Sequence, residues 1–131
     1  MDKDSHRPEP HRTPDGVVVR EISRDELREE LAGGGDLKLV MASSAFGFRV
    51  KHIPGSLNFR TPDQTFAALD PKDNIVVYCS NADCSASLST YKKLKDRGYH
   101  NVRHYTGGLI DWEAAGLPLE GDWAEGNDAS S

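Results

Sequence analysis

The stretch Val76-Val77-Tyr78-Cys79-Ser80-Asn81-Ala82-Asp83-Cys84-Ser85 packs a strand end, a polar loop and a helix start into consecutive positions. Together with Asn74 and Ile75 the apolar run predicts a strand over Asn74–Cys79, apolar enough to be buried on both faces. Ser80–Ser85 is polar and short. Ala86–Arg97 then reads as a helix with Leu88, Tyr91 and Leu94 on its inner stripe and Gly98 as its stop. A thiol therefore ends a buried strand, at the edge where open parallel sheets bind their ligands.

Outward from this unit the chain repeats the alternation. Val17–Ile22 is β-branched and reads as a strand. Ser23-Arg24-Asp25-Glu26 is a capping box, with Ile22 and Leu27 placed for a hydrophobic staple, and Gly33-Gly34-Gly35 ends that helix. Leu37–Met41 is a second buried strand, and Ala45–Val50 a helix weakened by Gly47. His52-Ile53-Pro54-Gly55 is a turn into an extended Ser56–Phe59. Thr61-Pro62-Asp63-Gln64 starts another helix, with Phe66 and Leu69 facing inward. Val102–Tyr105 is a last strand and Gly108–Ala115 a last short helix, ended by Gly116 and Pro118. Strands alternating with helices specify an α/β domain with a mainly parallel sheet.

The 131 residues suit one domain. Met1–Gly16 (residues 1–16) has no apolar residue after Met1, and Gly121–Ser131 (121–131) is small and acidic apart from Trp123. Both are expected to be disordered arms around a domain at 17–120. His6 and His11 in the first arm read as solvated side chains. A net charge of -5 argues against a nucleic-acid partner, which needs clustered Lys and Arg. No apolar run approaches the ~20 residues of a membrane span, and no secretory h-region opens the chain. The expectation is a cytoplasmic monomer, without cofactor or metal, whose two cysteines, Cys79 and Cys84, serve chemistry more than scaffolding.

The loop gives that chemistry a physical basis. Amides of Ser80, Asn81, Ala82, Asp83, Cys84 and Ser85 can converge into an anion cradle, to which the following helix adds partial positive charge. A thiolate at Cys79, or the anionic persulfide Cys–S–S⁻, is stabilised in such a cradle. The alternative is a small buried hydrophobe at a strand end. Asp83 opposes the cradle if aimed inward and is screened if aimed outward. Cys84 is either a resolving thiol for Cys79 or a small residue packed where the loop enters the helix. Two cysteines are too few for a zinc site.

The strand and loop around Cys79, preceded by His52-Ile53-Pro54-Gly55-Ser56-Leu57-Asn58, resemble the rhodanese domain. So does the run Gly98-Tyr99-His100-Asn101-Val102, continued by Gly107-Gly108, Trp112 and Ala115-Gly116-Leu117-Pro118-Leu119-Glu120. The resemblance extends over about Val17–Gly121. It implies a three-layer α/β domain with a five-stranded, mostly parallel sheet and helices on both faces. It also implies a sulfurtransferase: Cys79 as nucleophile and persulfide carrier, the loop amides as cradle, and Gly107 and Gly108 beside the pocket. The implied partners are a small sulfur donor and a thiol or cyanide acceptor, with a protein persulfide as another source. His52 belongs to a structural turn in this family.

Two positions depart from the pattern. Met41 and Ser43 stand where such domains usually carry Asp-x-Arg, and the loop from Ser80 to Ser85 has no Lys or Arg. The expectation is that thiosulfate is a poor donor and that uncharged or singly charged persulfides serve better. The competing readings are a dithiol redox enzyme cycling Cys79 and Cys84, arsenate reduction being one version, and a catalytically silent binding module.

Overall fold

A computed structural model describes residues 11–12, 18–80 and 85–122. The elements run β1 (His11–Arg12), β2 (Val18–Val19), α1 (Arg24–Ala32), β3 (Lys38–Met41), α2 (Ala45–Val50), α3 (Pro62–Ala68), β4 (Ile75–Tyr78), α4 (Ala86–Asp96), β5 (Val102–Tyr105) and α5 (Gly108–Ala114).

The central sheet has the order β3-β4-β5, and both pairings are parallel. Two extended segments widen it. Leu57 bridges Val40 in parallel, donating to the Leu39 carbonyl and accepting from the Met41 amide. Glu21 bridges His104 in parallel, flanked by His104 N–H to Arg20 C=O and Ile22 N–H to His104 C=O. Five chain segments thus lie side by side, the outer two as single bridges: Ser56–Phe59 is the expected extended piece, and Val17–Ile22 falls short of the expected full strand. Val17–Ile22 was read as one strand. Its residues divide their pairing: Val18 and Val19 join β1 antiparallel, and the residues around Glu21 join β5.

Alternation within the strands builds two cores. Leu39, Met41, Val76, Tyr78 and Tyr105 face one way and pack with Leu27, Ile53, Leu109 and Trp112. Val40, Ile75, Val77 and Val102 face the other way and pack with Leu69, Tyr91, Leu94 and Tyr99. All four residues of β4 are buried, as a strand covered on both faces requires. Each such side chain contributes ~1.5–3 kcal/mol when fully buried. The helices form at their expected starts. Ser23 and Glu26 complete the capping box, and Thr61 Oγ1 accepts from the Gln64 amide. Ser44 caps α2 through the Gly47 amide, which offsets the weakness that Gly47 introduces.

The domain edges differ from the expectation. His11 and Arg12 lie within the presumed arm but pair with Val19 and Val18, because a β-branched stretch leaves an edge that another strand can satisfy. Gly121 and Asp122 lie in the presumed tail, yet the Asp122 amide donates to the Arg49 carbonyl and its carboxylate pairs with Arg49. The remaining tail residues lie outside the described residues. Among the described residues no helix is long and apolar enough to cross a membrane.

Candidate functional site

Cys79 follows the last residue of β4 and is 3% exposed. Its backbone is held from two sides. The Ala42 amide, just past β3, donates to the Tyr78 carbonyl at 2.8 Å. On the other side Leu109 and Ile110, in the first turn of α5, donate to the carbonyls of Cys79 and Ser80, each at 2.9 Å. The orphan amides of a helix start are thereby spent on the chain that carries the thiol. Gly108 makes this geometry available, with φ at 69° in the left-handed region. A Cβ at Gly107 would come within 2.7 Å of Asp111, whose carboxylate accepts from the Tyr105 hydroxyl and from Arg24. Burial and that carboxylate together push the Tyr105 hydroxyl's pKa upward. Gly108 therefore stands directly before the two residues that hold the carbonyls of Cys79 and Ser80, and Gly107 packs against Asp111.

The sulfur of Cys79 lies 3.1 Å from the Ala42 carbonyl oxygen. Cys79 is disulfide-bonded, so its sulfur carries no proton in this state. The chain's other cysteine is Cys84. The reduced thiol could donate to Ala42, but a thiolate would face the negative end of a carbonyl dipole and has to turn toward the loop. In this state the sulfur is covered and oxidised.

Asn81, Ala82, Asp83 and Cys84 lie outside the described residues. The cradle expected of their amides, the orientation of Asp83 and the role of Cys84 lie there with them. Ser80 is exposed and pinned through its carbonyl. Ser85 is the N-cap of α4 and makes no side-chain cap bond, while its carbonyl accepts from the Ser89 amide.

Residues outside the 79–85 stretch surround the site. Asn58 Nδ2 donates to the carbonyls of both Met41 and Ser43, at 2.9 Å each, and so holds the loop that carries Ala42. This does part of what an Asp-x-Arg pair would be expected to do there. His104 on β5 places Nε2 2.7 Å from the hydroxyl of buried Ser87, tying the first turn of α4 to the sheet. His52 stacks on Phe48 and donates through Nδ1 to the Phe48 carbonyl at 2.7 Å, in keeping with its reading as a turn residue. Arg60 and Lys93 line a cavity whose wall includes Ala42. Neither belongs to the 80–85 loop; each comes to the cavity from another part of the chain.

The comparisons agree with this architecture. The protein from Bacillus halodurans called BH2092 superimposes with a TM-score of 0.73 at 21% identity, over 81% of this chain and 80% of that one. The human single-domain sulfurtransferase TSTD1 gives 0.62 at 23% identity, over 73% of this chain and 96% of that one. In sequence, a thiosulfate sulfurtransferase of Corynebacterium glutamicum is 36% identical over 53% of this chain; the match spans 28% of that relative's length. The profile of the Rhodanese-like domain matches residues 23–115, from the cap of α1 to the end of α5 with Cys79 inside it, and the chain belongs to that family.

Proposed function

We propose that the chain is a sulfurtransferase or sulfur carrier that moves a sulfane sulfur through a Cys79 persulfide. The observation that carries this reading is the placement of Cys79 at the carboxyl end of the central strand, its carbonyl held by Leu109. The family membership and the sulfurtransferase named among its relatives support it.

The chemistry needs a reduced Cys79. Its thiolate attacks the outer sulfur of a donor, the donor's S–S bond breaks, and the remainder leaves with the electron pair. Cyanide or a thiol then attacks the terminal sulfur of Cys79–S–S⁻ and returns the thiolate. No cofactor enters these steps. Uncharged or singly charged persulfides, or a protein persulfide, are the proposed donors. A compact dianion such as thiosulfate brings its charge to the buried sulfur itself and is a poor one. The protein is proposed to act as a monomer in the cytoplasm.

Cys79→Ser is expected to abolish sulfur transfer to cyanide, while Cys84→Ser retains most of it. The intact mass of the treated protein should show one added sulfur atom on Cys79. Absence of that adduct with every donor would overturn the reading.

The disulfide at Cys79 favours a second reading, a dithiol redox enzyme. It prevails if loss of either cysteine is equally fatal and turnover leaves the protein two protons lighter.

A further inference from the structure

We propose that the Thr106 hydroxyl, oriented by buried His104, donates a hydrogen bond to the sulfur of reduced Cys79 and to the persulfide formed on it. This rests on the sulfur-transfer reading and adds to it a residue that touches the reacting atoms.

The sheet places the two residues side by side. β4 and β5 run parallel, with Val77 opposite His104 and Tyr78 opposite Tyr105. One step further, Cys79 and Thr106 leave the two strands at the same level. Side chains alternate along a strand. Tyr78 and Tyr105 pack into one core, and Val77 packs into the other with Tyr91 and Leu94 of α4. Cys79 and Thr106 follow Val77 and His104 at a spacing of two, so both belong to the α4 face. His104 shows the same for Thr106. Its Nε2 lies 2.7 Å from the Oγ of Ser87 on α4, and its Nδ1 lies 3.1 Å from Thr106 Oγ1.

Cys79 therefore stands between neighbours of opposite character. On the β3 side is the Ala42 carbonyl oxygen, 3.1 Å from the sulfur. That oxygen only accepts, so it suits a thiol and opposes a thiolate. On the β5 side is Thr106, whose hydroxyl can donate. A thiolate that turns away from Ala42 turns toward this hydroxyl.

His104 sets the direction of the hydroxyl proton. It is 4% exposed and Ser87 is 2% exposed. With the Ser87 hydroxyl donating to Nε2, the ring carries its proton on Nδ1 and donates it to Thr106 Oγ1. The hydrogen of Thr106 then points onward. The file Ser87–His104–Thr106 runs toward Cys79, each group donating to the next.

Thr106 keeps its proton throughout the reaction. A thiol reductant opens the Cys79 disulfide, and the freed thiol loses its proton to solvent. The thiolate attacks the outer sulfur of R–S–SH, the S–S bond breaks, and R–S⁻ leaves with the electron pair. The proton on the transferred sulfur passes to solvent, giving Cys79–S–S⁻. The hydroxyl donates first to the thiolate and then to this anion, and hydrogen bonds to charged atoms are the strong ones.

The test uses the full chain, reduced beforehand. Alkylation of Cys79 by iodoacetamide at neutral pH is followed by peptide mass, and sulfur uptake from glutathione persulfide by intact mass. Thr106→Val is expected to slow both reactions about tenfold, the scale of one hydrogen bond to a charged atom, with KM for the persulfide within about twofold of wild type. Thr106→Ser should restore most of the rate. His104→Gln should slow both reactions less, and should add no further loss to Thr106→Val, because both act through one hydroxyl. A purely structural part for His104 would lower melting and leave the two losses additive, which overturns its orienting role. Wild-type rates in folded Thr106→Val overturn the assignment and leave the sulfur-carrier reading standing. So does a Thr106→Ser protein as slow as Thr106→Val, which would trace the effect to the packing of the methyl group. Thr106→Ala replaces Thr106→Val in the comparison if the valine protein does not fold. A wild-type Cys79 that takes up no sulfur while its alkylation still depends on Thr106 overturns the sulfur-carrier reading and leaves the contact with the thiolate.

Discussion

The amide of Leu109 donates to the carbonyl of Cys79 at 2.9 Å, so the start of α5 clamps the backbone that presents the thiol. The clamp depends on Gly108, buried and at φ 69°, immediately before Leu109. Any Cβ there costs roughly 1–2 kcal/mol in the left-handed region. Gly108→Ala is therefore expected to lower stability by about that amount and to slow sulfur uptake on Cys79. Denaturant unfolding and a mass-resolved time course check the two effects. Normal uptake in a destabilised Gly108→Ala protein would separate the clamp from function.

The oxidised state of Cys79 predicts a dependence on reductant. Without a thiol reductant the wild-type protein should accept almost no sulfur, because a disulfide-bonded sulfur is not the thiolate that attacks the donor. Cys84→Ser leaves the chain a single cysteine, so its Cys79 should accept sulfur with or without reductant. Equal uptake by untreated and reduced wild-type protein contradicts this.

Asn58 holds two carbonyls of the loop behind the sulfur, those of Met41 and Ser43. Asn58→Leu leaves both acceptors short of a donor, at a cost of about 2 kcal/mol in total. It also loosens Ala42, which packs its carbonyl against the Cys79 sulfur. The expected outcome is a lower midpoint in urea with an unchanged slope, and impaired uptake at Cys79. An unchanged midpoint would show that the loop is held by other contacts.

These residues show what the sequence could and could not reveal. Elements set by local chemistry were legible: the Ser23–Glu26 box, the Thr61 cap, and the run Ile75–Tyr78 whose every residue is buried. Cys79 was legible because strand and helix signals bracket it. Asn58, His104 and Leu109 were not, because their partners lie far along the chain and only the folded sheet edge brings them together. Arg60 and Lys93 were missed for the same reason. They reach the cavity from α3's leading segment and from α4, and neither lies in the loop between the two cysteines. A strand of two residues, His11–Arg12, carries too little pattern to stand out in the sequence.

Tyr78 joins the central strand to the His52–Gly55 turn and gives the fold an alkaline limit. Its hydroxyl accepts from the Ile53 amide at 3.0 Å and lies 2.7 Å from Ser56 Oγ. Ser56 already donates to the Ile53 carbonyl, so the tyrosine proton goes to Ser56. Burial pushes the Tyr78 hydroxyl up to about 12, from an ordinary value near 10. The unfolded chain therefore loses this proton first, and the folded state binds more protons between those two values. Stability is full below about pH 10 and falls as pH rises toward about 12. Tyr105 and Tyr99 are shifted upward too and add to the same slope. Tyr78→Phe removes one contributor but strands the buried Ile53 amide, at a cost of about 1–3 kcal/mol. The variant should accordingly melt lower than wild type at neutral pH and lose less of its remaining stability between pH 9 and pH 12. Melting curves across that range decide it; parallel curves for the two proteins would mean that the Tyr78 proton is not what the folded state retains.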